Sequence, residues 1–217
     1  MIPRNESIKI SPDNPSSESL QNIVNYLLQG GVVMVPTDTV YGLICDIDNP
    51  QAVSRIYQLK KRDSQKPLPV LVNGFHQVLA LSDSIPDGTE TLCKTYWPGA
   101  LTIIVPCSKA PYVAITCGTG KIGLRMPQSQ LVTRLIEQLG RPVASTSANY
   151  SDEPPCIDFK SLPQDFLTEI DLIVDGGIIG SGIPSTVVDL TTEPPRILRE
   201  GNIQSDDIRR ILQIASL

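Results

Sequence analysis

The sequence predicts an α/β fold built on a mostly buried sheet of mixed parallel and antiparallel strands, flanked by helices. Three observations predict it. Short apolar runs at 32–36, 68–72, 100–105 and 172–174 alternate with stretches whose apolar residues recur at helical spacing. Two late strands, 185–190 and 196–199, follow one another with no helix between them, which points to a mixed sheet rather than a purely parallel one. No internal repeat, low-complexity tract or linker divides the chain, so a single domain over 1–217 is expected.

Taken in order, residues 1–15 are rich in Pro and Asn and read as extended. A helix follows, capped by Ser16 or Ser17, with Leu20, Ile23, Val24, Leu27 and Leu28 on one stripe. Gly30-Gly31 stops it. The 32–36 strand then runs into the polar cluster Thr37-Asp38-Thr39-Val40-Tyr41-Gly42. Asn49 reads as an N-cap and Pro50 as the first residue of the next helix. Its face carries Val53, Ile56, Tyr57 and Lys60, which puts Lys60, Lys61 and Arg62 at or just past its end. The 68–72 run reads as a strand, and Pro69 favours an edge position for it. Helices are expected near 75–81 and 87–96, a turn at Trp97-Pro98-Gly99, a loop over 107–120 and a short strand over 121–126. Leu131, Val132, Leu135, Ile136 and Leu139 make an amphipathic helix closed by Gly140. The strand 142–144 leads into a second small-polar cluster, Ser145-Thr146-Ser147-Ala148-Asn149, and 150–158 reads as an exposed loop. The 172–174 strand leads to a Gly-rich segment, 176–182, and Ser205 is expected to cap a last helix.

Composition removes several classes of function. A chain of 217 residues, 41% hydrophobic and 5% aromatic, can bury an aliphatic core without staples. A net charge of −5 argues against a surface built broadly for nucleic acid. The five cysteines (Cys45, Cys93, Cys107, Cys117 and Cys156) are odd in number and form no C-x-x-C, which argues against a disulfide frame or zinc site. Reduced thiols fit a cytosolic protein. The N-terminus lacks a secretory or organellar leader pattern, and no apolar run reaches the ~18 residues of a membrane span. One histidine, His76, excludes a His-based metal cluster, and no G-x-S-x-G elbow accompanies it.

Two readings of the remaining polar residues stay open: a self-capping strand-to-loop turn with cations that favour a helix C-terminus, or an anion site. In open α/β sheets ligands bind beyond the carboxyl ends of strands, where the Thr37–Tyr41 hydroxyls and Asp38 fall. Lys60, Arg62, Lys66, Lys121, Arg125 and Arg199 lie next to strand ends or Ser/Thr-rich loops. Arg55, Lys94, Arg134 and Arg209 fall inside helices and read as solvated faces. Lys60 and Arg62, separated by one residue, are placed to converge on a polyphosphate. The Gly-rich segment matches neither dinucleotide nor Walker patterns, so side chains rather than a P-loop would hold phosphates.

Several segments in order resemble the YrdC-type threonylcarbamoyl-AMP synthases: the 36–43 stretch, Lys60-Lys61-Arg62, Ser147-Ala148-Asn149, the 185–189 strand and Arg199-Glu200-Gly201. Trp97-Pro98-Gly99 and Leu124-Arg125-Met126-Pro127 add to the likeness, which covers roughly 17–203. The resemblance implies a twisted mixed sheet around a concave, positively lined cleft. It implies a nucleotidyltransferase that joins L-threonine, bicarbonate and ATP, with Mg²⁺ on the phosphates, and releases pyrophosphate. The product would pass to a tRNA threonylcarbamoyltransferase for t6A formation at position 37, with at most a weak tRNA contact by this chain. Carried onto these positions, Lys60, Arg62, Ser147 and Asn149 are the expected catalytic residues. Lys60, Arg62, Lys66, Lys121, Ser147, Asn149 and Arg199 would bind ATP, and Thr39, Tyr41, Arg125, Ser145 and Ser185 would bind threonine.

Two departures bear on this. Leu71 stands where many such synthases have histidine, and Lys66 where many have asparagine. Longer members carry a further C-terminal domain, which the sequence ending at Leu217 is expected to lack. The competing expectation is a divergent paralogue that binds nucleotide or RNA without this activity. The intact Lys-x-Arg and Ser-x-Asn motifs favour the active synthase.

Overall fold

The Ser16 hydroxyl accepts the backbone N–H of Ser19 and opens helix α1 (Ser17–Leu28), so the cap is Ser16 rather than Ser17. The computed structural model describes residues 6–213. After α1 the chain enters strand β2 (Val33–Pro36) and returns antiparallel as β3 (Tyr41–Asp46). The polar cluster at 37–42 is thus divided: 37–40 is the turn of a hairpin, and Tyr41-Gly42 opens its second strand. Asn49 caps α2 (Pro50–Lys60) through Ala52 N–H, with Pro50 at its first position.

The remaining strands are β1 (Glu6–Lys9), β4 (Val70–Leu71), β5 (Leu101–Pro106), β6 (Lys121–Arg125), β7 (Val143–Ser147), β8 (Leu172–Asp175), β9 (Thr186–Asp189) and β10 (Arg196–Arg199). Among the described residues they form one ten-stranded sheet in the order β1-β8-β2-β3-β7-β4-β6-β5-β9-β10. It is mixed: β1, β8 and β2 run parallel, as do β4 with β6 and β5 with β9, while the other pairs are antiparallel.

Three local expectations are corrected. Pro69 does not mark an edge: β4 lies between β7 and β6, and Pro69 precedes its first paired residue. The proline lacks a donor but its carbonyl still accepts Ser145 N–H at 2.8 Å, so the ladder loses little. The 107–120 stretch contains a 3₁₀ turn at Ala110–Tyr112 and a short helix, α5 (Val113–Thr116). The last helix, α8 (Ser205–Leu212), starts one residue earlier than expected: Gln204 is the N-cap, and Ser205 N–H donates to Glu200 Oε2 instead. The other helices are α3 (Phe75–Leu81), α4 (Thr89–Tyr96), α6 (Gln130–Leu139) and α7 (Gln164–Thr168).

Residues alternate across the sheet. On β3, Tyr41, Leu43 and Cys45 join the larger core beneath α2, α4 and α7, while Ile44 joins the core under α1 and α6. That second core reaches across β8, β2, β3 and β7 as far as Leu71 on β4. Register carries the same face further: Leu71 is opposite Arg125, Gly123 opposite Ile104, and Ile104 opposite Asp189. These residues therefore share the face of α1 and α6 but lie beyond those helices. The fold leaves half of one sheet face open, and the candidate site is there.

Candidate functional site

The open half-face is the floor of a cavity of about 560 Å³, a size typical of small-molecule sites. Alternation builds it. Lys121, Gly123 and Arg125 face the cavity while Ile122 and Leu124 face the larger core, and Thr102 and Ile104 on β5 do the same between Leu101, Ile103 and Val105. The β2–β3 turn, the second half of β7 with the segment after it, and the 184–187 region complete the walls; the small-polar cluster expected after the strand thus begins inside it.

Arg125 is the best-fixed cation. Its side chain is 10% exposed and pairs with Asp38 Oδ1 at 2.7 Å. It also donates to Thr39 Oγ1 at 3.1 Å and to Gly99 O at 3.0 Å. Burial holds its guanidinium below its usual pKa, partly offset by Asp38. Thr37 Oγ1 fixes the turn by donating to Val40 O and accepting Thr39 N–H. Arg199 stands at the exposed rim and donates to Ser185 O and Ser185 Oγ, and Ser185 Oγ lies 2.8 Å from Thr102 Oγ1. The Arg199 pKa is lowered first by burial and then by the charges of Arg125 and Arg62, and all three guanidinium groups line one hollow. Arg62 donates to Lys66 O and Pro67 O. Lys121 pairs with Asp189 at 3.0 Å. For Asp189, burial raises the pKa, but hydrogen bonds from Thr191 and Lys121 outweigh it and the net shift is downward.

Of the residues singled out in the sequence, Thr39, Arg62, Lys121, Arg125, Ser145, Ser147, Asn149, Ser185 and Arg199 line this cavity. Three do not. Lys60 is 1% exposed and gives its ammonium to Ser147 O, Asn149 O and Asn149 Oδ1 at 2.6, 2.6 and 3.3 Å. Lys61 takes the left-handed conformation (φ 50°, ψ 40°) that ends α2, and this turn carries Arg62 to the cavity while Lys60 stays inside. Tyr41 is fully buried; its hydroxyl donates to Gly177 O and accepts Gly176 N–H, anchoring the Gly-rich segment. Lys66 reaches outward to Asp152 at 3.8 Å, with both side chains exposed. Arg55, expected on a solvated face, pairs with the buried Asp171 at 2.7 Å.

The Gly-rich segment serves the site through its backbone. Gly180 has φ +64°, and a Cβ there would sit 2.1 Å from Thr39 O. Gly180→Ala is therefore expected to destabilise the protein by more than about 1 kcal/mol, read as a lowered Tm; an unchanged Tm contradicts the close approach.

Burial, with the Arg62 charge adding to it, brings Lys60 down to about 7 from the free-lysine value. The unfolded chain then binds more protons above pH 7, so the Lys60 contribution to stability grows from about pH 7 toward 10. The Tm difference between wild type and Lys60→Met should shift in favour of wild type between pH 6.5 and 9. A difference that does not change with pH contradicts this.

Sequence reasoning missed Thr102, Thr119, Glu153 and Asp189 as lining residues, while Thr37 lay in the polar cluster already singled out. Thr102 and Asp189 had a signal: each is a polar residue at an alternate position of an apolar strand.

A family model labelled Sua5_yciO_yrdC and described as "Telomere recombination" matches residues 25–201. The chain belongs to this family. Threonylcarbamoyl-AMP synthase of Bacillus subtilis is 38% identical over 187 residues, covering 86% of this chain and 54% of that protein. Threonylcarbamoyl-AMP synthase of Vibrio parahaemolyticus is 32% identical, covering 85% of this chain and 100% of its own. The solved structure of P. abyssi Sua5 complexed with L-threonine superposes with a TM-score of 0.89 at 34% identity, covering 94% of this chain and 60% of that one. The chain thus spans about half the length of the longer curated relatives it matches.

Proposed function

We propose that this chain forms threonylcarbamoyl-AMP from L-threonine, bicarbonate and ATP. The observation that carries the proposal is the convergence of Arg62, Arg125 and Arg199 on one cavity of a net-acidic protein. Such a cluster attracts small polyanions without a basic exterior. The names of the relatives, and the L-threonine in the P. abyssi structure, support the choice of substrates.

The chemistry suits a site without a nucleophile. The threonine amine adds to the carbon of CO₂, drawn from bicarbonate, and gives up a proton to leave an N-carboxylate. An oxygen of that carboxylate then attacks the α-phosphorus of ATP, and the bond to pyrophosphate breaks. Both reactants are anions, so fixed cations must cancel their repulsion, and alignment in the cavity lowers the barrier further. Arg125, backed by Thr39 and Asp38, and Ser185 would hold the threonine end. Arg62, Arg199 and Ser147 would hold the nucleotide, with Lys121 beside it.

Magnesium would enter on the triphosphate. Among the described residues no group of three or more His, Cys, Asp or Glu is placed to hold a metal, and Asp38 and Asp189 are each paired with a cation. Magnesium bound mainly through phosphates fits this donor set, and its contribution would be to neutralise phosphate charge.

The product would go to a transferase that places threonylcarbamoyl on tRNA. All five cysteines are free, which supports a reducing compartment such as the cytoplasm. No described helix is long and apolar enough to cross a membrane. The test is to mix the protein with ATP, Mg²⁺, bicarbonate and L-threonine. Threonine-dependent pyrophosphate release is expected, and release that ignores threonine overturns the proposal.

A further inference from the structure

We propose that Lys60 is a positioning residue: it clamps the 147–153 wall of the cavity from behind and does not touch the nucleotide. The inference rests on the synthase reading for its kinetic consequence, but its structural part stands apart from it. When protonated, the ammonium has three hydrogens and meets three acceptors, Ser147 O, Asn149 O and Asn149 Oδ1; the neutral amine that forms above about pH 7 keeps two hydrogens for the two nearer carbonyls. None remains to reach a phosphate. The same lysine uses its carbonyl to accept Ser151 N–H at 3.0 Å, so one residue grips the segment at both of its own ends.

Asn149 extends the clamp. With Oδ1 held by Lys60, its amide nitrogen donates to Tyr150 O at 2.7 Å and Glu153 O at 2.8 Å, and its backbone N–H donates to Ser147 O. Next door, the Lys61 ammonium lies 4.4 Å from the Tyr150 ring, tying the residue that follows α2 to the same wall. The wall therefore has a tight bend held by a buried lysine that, among the described residues, pairs with no carboxylate within salt-bridge distance, although the Glu153 charge acts on it. Burying the lysine charge is costly. It is tolerated because three oxygens converge on it, and because removing it would leave carbonyls unsatisfied in the interior.

The site consequence follows from the geometry. Ser147 and Asn149 line the cavity on one side of this bend, and Lys60 holds it from the other. A loosened bend displaces the groups that face the reacting atoms, and a displacement near 1 Å is enough to cost a large factor in rate. Arg62, by contrast, faces the cavity itself.

Lys60→Met keeps the stem and removes the ammonium. Expected are amide exchange in 147–153 faster by at least about tenfold, an ATP–Mg²⁺ Kd within about threefold of wild type, and kcat lower by roughly 30-fold or more. Lys60→Gln retains a donor and should give intermediate exchange and rate; if the methionine variant does not fold, it carries the same readouts. Unchanged exchange in 147–153 overturns the clamp. A loss of ATP affinity as large as that of Arg62→Ala makes Lys60 a phosphate ligand and also overturns it. If wild type shows no threonine-dependent turnover, the synthase reading fails, while exchange and ATP affinity still decide the clamp.

Discussion

Arg62→Ala lowers threonine-dependent pyrophosphate release by at least ~100-fold while leaving the Tm nearly unchanged. The side chain reaches the cavity from the turn after α2, where Nε and Nη2 donate to Lys66 O and Pro67 O. Those two bonds aim the guanidinium, and among the described residues Nη1 has no protein partner. Its charge adds to those at Arg125 and Arg199. Truncation removes a fixed donor whose proposed partner is the triphosphate, so ATP affinity should fall about tenfold or more. The fold loses little, because both carbonyls lie in a partly exposed turn that water can reach. Arg62→Lys restores charge but not the fork geometry and should recover only part of the rate. An Arg62→Ala enzyme that turns over at the wild-type rate would remove Arg62 from the site.

Arg125→Met is expected to fail in both stability and turnover. The guanidinium bonds Asp38, Thr39 Oγ1 and Gly99 O from a position that is 8% exposed as a whole residue. Removing one partner of a buried pair leaves the other charge uncompensated, a loss of about 3–5 kcal/mol. The Tm should fall accordingly. Adding Asp38→Asn to Arg125→Met removes the orphaned charge and should recover part of the stability, yet none of the turnover. Recovery of turnover in the double variant would show that Arg125 holds the turn and does nothing for threonine.

Much of this site was legible in the sequence because local rules decide it. The Asn49-Pro50 start of α2, the stripes of α1 and α6, and the polar cluster after β2 each follow from a few neighbouring residues. So does the placement of Arg125 at the end of a strand. The burial of Lys60 was hidden for a different reason. Its spacing from Arg62 puts both cations at one helix end, but the left-handed turn at Lys61 and the acceptors at 147 and 149 lie in backbone conformation and in tertiary contacts. The burial of Tyr41 was hidden likewise: period-2 alternation on β3 turns it to the core, but β3 reads from the sequence as the tail of a loop. Pro69 shows a tertiary override, since a central strand tolerates it when it sits before the first paired residue. The cavity itself depends on which helices cover which half of the sheet, and that is a property of strand order.

The most direct measurement is a structure of this protein with a nonhydrolysable ATP analogue, Mg²⁺ and L-threonine. The account predicts the triphosphate within hydrogen-bond reach of Arg62 and Arg199, threonine against Arg125 and Thr39, and Lys60 still bound to Ser147 and Asn149 behind the wall. A nucleotide seated outside this half of the sheet face, away from the three guanidinium groups, would contradict it.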